Sequence, residues 1–440
     1  MTSSTQFGSA PNRAGDAPRV CKVALLGFGT VGRSVAKILC ERTGRHLLLT
    51  HVCNRNVSRK KVDWLPAEVM WTESFDDILA SDVDVVVEVM GGLQPAEDWV
   101  RRALASGKSV VTANKQLIAH CGPELAALAR QMNSQLEFGA SVAGGVPIIS
   151  GLHQGLAGDE LFKICGILNG TCNYILTQIE SNGVPFTTAL REAQKLGFAE
   201  ADPTEDIDGL DARAKLAILI RAGLHCNVAA DSIVARSISP VDAIDFEYAN
   251  QLGCTIRQIA HAELKAGTLF ASVQPSLVQL SSPLARVEGS QNLVMATGTY
   301  GGETVFGGHG AGGHPTAVAV VSDILAIAQA KQSASSPSGR AAENPQPPEK
   351  TPVLTADFTT RHYLRFMVKD RPGIIASLAA ILAKSGINID AVLQKPGCSK
   401  SHLPFLITLE ECKASLVDQA LKQIDALAFM VQPCLHMPIL

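Results

Sequence analysis

The sequence predicts an α/β protein in three parts: a doubly wound parallel-sheet domain, an α+β domain and a small C-terminal βαββαβ module. Three observations carry that prediction. From Arg19 to about residue 150, short apolar runs alternate with helical patterns, as in a parallel sheet covered by helices. The composition is 46% apolar and 5% aromatic with 37 glycines, which suits many tight turns between strands and helices. Residues 331–352 hold five prolines, four serines and no Val, Ile, Leu or Phe, so they bury too little surface to order themselves and set off a separate C-terminal unit.

Taken in order, residues 1–18 are rich in Ser, Gly, Ala and Pro and read as a flexible arm. They lack the apolar core of a signal peptide. Val20–Leu26 is an apolar strand, and Gly27-Phe28-Gly29-Thr30-Val31-Gly32 follows it as G-x-G-x-x-G, with a helix from Arg33 to Cys40. A strand before and a helix after are the context that makes this fingerprint a dinucleotide site. The glycines allow the turn, the approach of a pyrophosphate and close helix–strand packing, and the helix N-terminus offers N–H donors. Residues 19–150 are therefore expected to form a Rossmann-type NAD(P)-binding domain. Further strands are expected over His46–Cys53, Val83–Val89, Ser109–Thr112 and Gln135–Phe138. The second strand ends in Cys53-Asn54-Arg55, with Lys60 and Lys61 nearby, where an NAD enzyme usually carries an acid. Arg55 suits a 2′-phosphate, so NADP is the expected cofactor and NAD the alternative.

Residues 151–330 change character. Helices are expected near 185–196, 209–224 and 246–266, and strands near 161–168, 269–280 and 292–299, with a helix over Thr316–Gln332 returning to the first domain. The most informative stretch is Leu196–Lys215, where Glu200, Asp202, Glu205, Asp206, Asp208 and Asp211 precede Lys215. Asp211 and Lys215 are four apart, on one helix face. A lysine beside carboxylates at a domain cleft can serve to bind an amino-acid ammonium, through the carboxylates, and also to move a proton. Taken alone, the pair is equally a solvated surface contact. Thr112-Ala-Asn-Lys115 puts Lys115 at the carboxyl end of a buried strand, where open α/β sheets bind ligands. Ser141–Pro147 is a glycine turn between domains, and Gly307–Thr316 a second glycine loop before a helix. Asn169, Thr171 and Asn173 are polar groups in an apolar segment, either ligand contacts or a helix cap.

The stretch 331–355 reads as a linker. Beyond it, residues 356–440 give strand Tyr363–Val368, helix Ile374–Ser385, strands Ile387–Gln394 and Leu403–Leu409, helix Leu416–Asp425 and a last strand near 428–433, a ferredoxin-like order. A linker this flexible cannot transmit torque by itself, so coupling is expected through contacts between modules or subunits, and a chain lacking 340–440 is expected to stay catalytically competent. The net charge of −3 disfavours nucleic acid and anionic membrane as partners. No apolar run is long enough to span a bilayer. The eleven cysteines are scattered without metal-ligand spacing, as in a reducing, cytoplasmic setting.

Together, Gly27–Gly32, Thr112–Lys115, Ser141–Pro147, Leu168–Tyr174, Leu196–Lys215 and Gly308–Thr316 resemble homoserine dehydrogenase, in the family's order. Lys369-Asp-Arg-Pro-Gly-Ile374 and Gly386-Ile-Asn-Ile389 resemble an ACT domain, as in the monofunctional form with a regulatory C-terminus. The resemblance implies reversible reduction of L-aspartate 4-semialdehyde to L-homoserine, on the route to threonine, methionine and isoleucine. It implies Lys215 as proton donor, Lys115 beside the nicotinamide, and Glu200, Asp206 and Asp211 as substrate ligands. Gly310 matches a glycine that contacts cofactor. It also implies an amino-acid effector at the ACT domain and a homodimer or homotetramer. The family's sodium site would use the carbonyls of Val142, Gly144 and Val146, but Gly139 stands where a glutamate is common, so a weak or absent sodium site is expected. Phe198 replaces a usual tyrosine and His309 a frequent proline. A contrasting reading is an amino-acid sensor in which the dehydrogenase part is a degenerate scaffold. A third is another semialdehyde or hydroxy-acid dehydrogenase.

Overall fold

A computed structural model describes residues 20–41, 46–334 and 351–440 of the chain. The expected flexible arm at 1–18 and the centre of the expected linker lie outside the described residues.

The first sheet is parallel throughout. Its strands are β1 (Cys21–Leu26), β2 (Leu47–Cys53), β3 (Met70–Thr72), β4 (Val85–Glu88), β5 (Ser109–Thr112) and β6 (Leu136–Glu137), in the order β3-β2-β1-β4-β5-β6. Every residue of β4 and β5 is buried, which is why their sequences run apolar without alternation. Helices α1 (Thr30–Glu41), α2 (Val57–Lys60), α3 (Phe75–Ala80), α4 (Ala96–Ala105) and α5 (Lys115–Gln131) connect them.

The second part begins with the short α6 (Ile148–Ser150) and β7 (Leu161–Ile167), followed by helices α7 (Gly170–Asn182), α8 (Phe186–Lys195), α9 (Thr204–Ile207) and α10 (Leu210–Leu224). Then come β8 (Val234–Ala235), α11 (Ala243–Gln251), β9 (Cys254–Lys265), β10 (Thr268–Gln279), β11 (Gln291–Gly298), β12 (Gly302–His309) and α12 (Gly313–Ala334). The helix expected over 246–266 is corrected: it stops at Gln251, Gly253 turns the chain with φ +69°, and residues 254–265 are a strand. Nine consecutive residues of β9 are buried because β7 and β10 flank it, so the period-2 signal that marks a strand is absent. Helix α12 returns to the first domain as expected. Val320, Val321, Ile324 and Ile327 share a core with Val23, Leu25 and Val35.

The C-terminal part contains β13 (Val353–Thr355), β14 (Thr359–Val368), α13 (Ile374–Lys384), β15 (Ile389–Gln394), β16 (Leu403–Lys413), α14 (Ala414–Ile424) and β17 (Leu435–Ile439). From β14 onward this is the βαββαβ order, and the last strand lies beyond the stretch 428–433 where it was expected. The ends of the stretch read as linker are structured: α12 runs to Ala334 and β13 pairs with β10.

The module is not an appendage. Its four strands extend the second sheet into one of order β12-β11-β7-β9-β10-β17-β14-β16-β15, through the parallel pair Leu277–Ile439. Tyr363, Leu406, Leu435 and Met437 share a core with Ile175, Phe246 and Ile256. The buried carboxylate of Asp245 on α11 accepts from Tyr363 Oη and Arg365 Nε, both at 2.7 Å. The contacts between modules through which coupling is expected to pass are thus extensive. Apolar strand faces on both sides of the linker bury one another.

Candidate functional site

The fingerprint turn begins at Gly27 (φ +100°), whose N–H donates to the Cys53 carbonyl at 2.9 Å. A Cβ on Gly32 would lie 2.1 Å from the Gly27 carbonyl oxygen, so α1 approaches β1 only because residue 32 has no side chain. Gly29 faces open space, with nothing within 4 Å of a built Cβ, which is the room a pyrophosphate requires. Thr30 and Val31 open α1 beside it. These residues fit a dinucleotide. The Phe28 ring is fully buried against Trp71, and its N–H donates to Asn54 Oδ1 at 3.0 Å. Asn54 is thus the residue that ties the end of β2 to the fingerprint. Arg55 follows it, exposed, with Lys61 also exposed beyond the short α2.

Lys115 is the first residue of α5. Asn114 caps that helix, accepting from Leu117 N at 3.2 Å and donating to the Gly92 carbonyl at 2.6 Å. Glu88, fully buried at the end of β4, accepts from Met90 N, Gly91 N and Thr112 Oγ1. These bonds fix the loops at the carboxyl edge of the sheet, where Lys115 projects towards the second domain.

There it meets Asp211. This carboxylate, 3% exposed in the first turn of α10, receives Lys215 Nζ at 2.7 Å, Asn169 Nδ2 at 2.8 Å and Lys115 Nζ. Lys215 also donates to the Leu168 carbonyl at 2.9 Å. Asn169 caps α7 by accepting from Cys172 N at 2.8 Å and spans Asp211 and Asp206, its bond to Asp206 Oδ1 being 2.6 Å. The cap and the site contact, alternatives in the sequence, are one residue's two functions.

Burial alone would raise the Asp211 carboxyl, but the Lys215 and Lys115 ammoniums hold it well below the usual range. Lys115 is held up by Asp211 against the opposing effect of burial. Asp206 is pushed up, first by burial and then by Asp211, with Asn169 opposing. The Lys115 and Lys215 ammoniums, held on Asp211 with Asp206 close by, can meet an oxygen that gains negative charge.

Not every expected residue joins this cluster. Glu200 is exposed on the loop after α8, its backbone carbonyl accepting from Gln194 Nε2 at 3.0 Å, and no side-chain bond ties it to the cluster among the described residues. Thr171 donates to the Phe198 carbonyl at 2.8 Å, while Asn173 donates to the Val287 and Gly289 carbonyls and serves the fold.

The two glycine loops lie back to back. Gly145 N donates to the His309 carbonyl at 3.1 Å, and a Cβ on Gly144 would lie 2.6 Å from the Gly310 carbonyl oxygen. Gly313 approaches Thr30 and Ser34 of α1, so this double loop flanks the fingerprint. Of the three carbonyls expected to bind sodium, that of Val146 accepts from Ile148 N at 2.8 Å. Gly139 N donates to Asp323 Oδ2 at 2.9 Å, so the α12 carboxylate fills the room of a side chain at 139. Among the described residues no three His, Cys, Asp or Glu side chains cluster as metal ligands. Burial pushes Glu137 up to about 7, and burial and then Glu137 push Asp323 up to about 7, so two carboxylates raised by burial stand beside Gly139.

Comparison with known proteins finds relatives along most of the chain. The family model described as homoserine dehydrogenase matches residues 147–325, that of the homoserine dehydrogenase NAD-binding domain matches 27–139, and that of the ACT domain matches 362–429. The homoserine dehydrogenase of Bacillus subtilis (strain 168) is 39% identical over 385 residues, covering 86% of this chain and 88% of that protein. A crystal structure of a homoserine dehydrogenase from Thiobacillus denitrificans superposes with a TM-score of 0.86 at 32% identity, over 96% of this chain and 98% of that one. A hyperthermophilic archaeal homoserine dehydrogenase mutant in complex with NADPH gives a TM-score of 0.61 at 28% identity, over 70% of this chain and 98% of that one.

Proposed function

Given that the chain belongs to the homoserine dehydrogenase family, we propose that it interconverts L-aspartate 4-semialdehyde and L-homoserine with NADP(H), Lys215 moving the proton. The observation that carries this reading is the Lys115–Asp211–Lys215–Asn169 cluster, at the carboxyl edge of the sheet whose first strand leads into the fingerprint. The alternative of a sensor on a degenerate scaffold finds no support, since fingerprint, lysines and carboxylates are all in place.

When bound, the nicotinamide supplies the hydride to the aldehyde carbon. Lys215 protonates the oxygen as it gains charge, and the second ammonium, Lys115, stabilises the same charge. Asp211 has both oxygens engaged by three donors and holds the lysines in register. Asp206 and Glu200 receive the substrate ammonium. In the oxidative direction Lys215 accepts the alcohol proton.

The preference for NADP over NAD rests on Arg55 and the absence of an acid at the end of β2. Weak or absent sodium dependence rests on Gly139 and the engaged Val146 carbonyl; a titration with strong, saturable sodium activation would overturn it. The proposed division of labour is 19–150 for the dinucleotide, 151–330 for substrate and dimerisation, and 356–440 for regulation by an amino acid. A homodimer or homotetramer in the cytoplasm completes the reading. No helix among the described residues is long and apolar enough to cross a membrane.

The test is NADP⁺ reduction by L-homoserine against simple 2-hydroxy acids, with wild type and Lys215→Ala. Turnover of homoserine alone, lowered at least about 100-fold by the substitution, is the expected result. Near wild-type turnover by Lys215→Ala would remove it from the mechanism.

A further inference from the structure

Helices α5 and α10 belong to different domains and deliver the site's two lysines. Lys115 opens α5, while Asp211 and Lys215 lie near the start of α10. The flanks of these helices pack together. Ile118 and Ala119 of α5 share a core with Ala212, Leu216 and Leu219 of α10. Apolar packing is non-directional, so it holds the helices together without fixing how far one slides along the other. The Lys115 ammonium reaches Asp211 on a flexible four-carbon stem and cannot fix that register either.

A further contact between the two helices is directional. Arg221, in the last turn of α10, donates from Nη1 to the Ile118 carbonyl of α5 at 3.0 Å. It lies roughly 15 Å beyond Asp211 by helical rise. A basic residue in a last turn is ordinary, since it meets the carbonyl end of its own helix. This one leaves its helix, and the helix that it enters makes room for it. A Cβ on Gly122 would lie 2.5 Å from Arg221 Nη1. Gly122 is buried in the interior of α5, and Pro123 follows it. Both residues weaken a helix interior, glycine by its conformational freedom and proline by its missing N–H and its clash with the preceding turn. Local preference is thus broken at the spot where a guanidinium from the other domain docks, as happens where a contact serves function.

We propose that Arg221 is a positioning residue for the proton transfer: its bond to α5 sets the register of that helix on α10, and so the place of the Lys115 ammonium against Asp211 and Lys215. This role rests on the proposed dehydrogenase reaction and extends it to a residue far from the reacting atoms. Contacts at Asp211 and at Arg221 fasten the two helices at two separated points, which fixes both slide and angle. Glu200 and Asp206, proposed to receive the substrate ammonium, lie outside this helix pair. Loss of the clamp therefore lowers kcat and leaves KM for homoserine nearly unchanged.

The experiment compares the full chain as wild type, Gly122→Ala, Arg221→Met and the double variant by two readouts. The first is steady-state NADP⁺ reduction by L-homoserine. The second, without cofactor or substrate, is the rate at which trace acetic anhydride acetylates Lys115 relative to the exposed Lys384, read by peptide mass spectrometry. Gly122→Ala puts a methyl group where the guanidinium lies, and the guanidinium gives way because it is the far end of a flexible side chain. That variant should keep its melting temperature, alanine being the better helix former. Each single variant should lower kcat at least about tenfold, within what a misplacement of the order of 1 Å costs. The double variant should be no worse than the worse single one, because both act through one contact. Lys115, less firmly held on Asp211, should be acetylated at least about threefold faster, half a pKa unit's worth of free amine. Unchanged kcat in folded Gly122→Ala, effects that multiply in the double variant, or unchanged Lys115 acetylation would each overturn the clamp. Failure of the wild type to oxidise homoserine would overturn the dehydrogenase reading instead, and the acetylation rates would still decide the clamp. Should Arg221→Met fail to fold, Gly122→Ala decides alone.

Discussion

At the scale of the residue, the site turns on one carboxylate between two ammoniums. Asp211 holds Lys115 and Lys215 by charge as well as by hydrogen bonds, so Asp211→Asn keeps the shape and removes the charge. We expect kcat to fall about 100-fold, the order of a misplaced proton-transfer group. We also expect the pH dependence of homoserine oxidation to move to lower pH, since Asp211 is what holds Lys115 up against burial. A pH–rate profile of the variant checks both, and an unmoved profile would mean that Lys115 does not depend on this charge. Arg55 makes a second prediction at this scale. A charge-assisted contact with a 2′-phosphate is worth about 1.5–3 kcal/mol. Arg55→Ala should therefore raise KM for NADPH by tenfold or more and leave KM for NADH nearly unchanged; equal changes would move the phosphate elsewhere.

At the scale of the element, helix ends deliver the chemistry. Lys115 opens α5, Asp211 opens α10, and Asn169 caps α7, so three helix N-termini converge on one point. The fingerprint works because α1 packs against β1 without a Cβ between them. Gly32→Ala would place that carbon 2.1 Å from a backbone oxygen, which cannot rotate away as a side chain would. A loss of about 1–3 kcal/mol is expected, as for an overpacked core, together with weaker dinucleotide binding. Thermal unfolding with and without NADPH measures the two effects. A variant as stable as the wild type would show that α1 can shift outward at no cost.

At the scale of the whole molecule, the C-terminal module completes a sheet and a core that the second domain begins. Deleting residues 340–440 would strip cover from Ile175, Phe246 and Ile256, and would leave Asp245 buried beside vacated partners. The truncated chain should be unstable, not a desensitised enzyme. Arg365→Met tests the junction at one residue, removing the buried pair with Asp245 and the bond to the Pro240 carbonyl, and breaking one such pair costs about 3–5 kcal/mol. A melting temperature unchanged by this substitution would show that the junction bears little of the stability. The same boundary carries a pH dependence. Burial first, and then the neighbouring His436, hold His362 down to about 4, while its unfolded value is near 6.5. The unfolded chain therefore binds more protons between those values, and stability is lost as pH falls from about 6.5 towards 4. His362 faces His436 at 3.0 Å and the Cys412 carbonyl at 3.0 Å, with Asp418 and Arg236 beyond. His362→Gln should flatten the melting temperature across this range, and an unaltered acid slope would assign it to other groups.

The sequence by itself determined whatever is local or periodic. The glycine spacing set the turn before α1, the alternation of apolar runs set the parallel sheet, and the i,i+4 spacing put Asp211 and Lys215 on one helix face. Motif resemblance supplied the family, and with it Lys115 as a partner in a site ninety-six residues from Asp211. The tertiary structure alone decided the rest. Residues 254–265 are a strand because neighbours on both sides bury them, a fact no window of that sequence contains. Asn169 joins the site because a cap at one helix reaches acids on two others. The C-terminal module fuses with the second sheet because unpaired strand edges and apolar faces seek cover wherever the folded chain brings them. Local backbone preference is written residue by residue, but burial and edge pairing are properties of what lies opposite, and that exists only once the chain has folded.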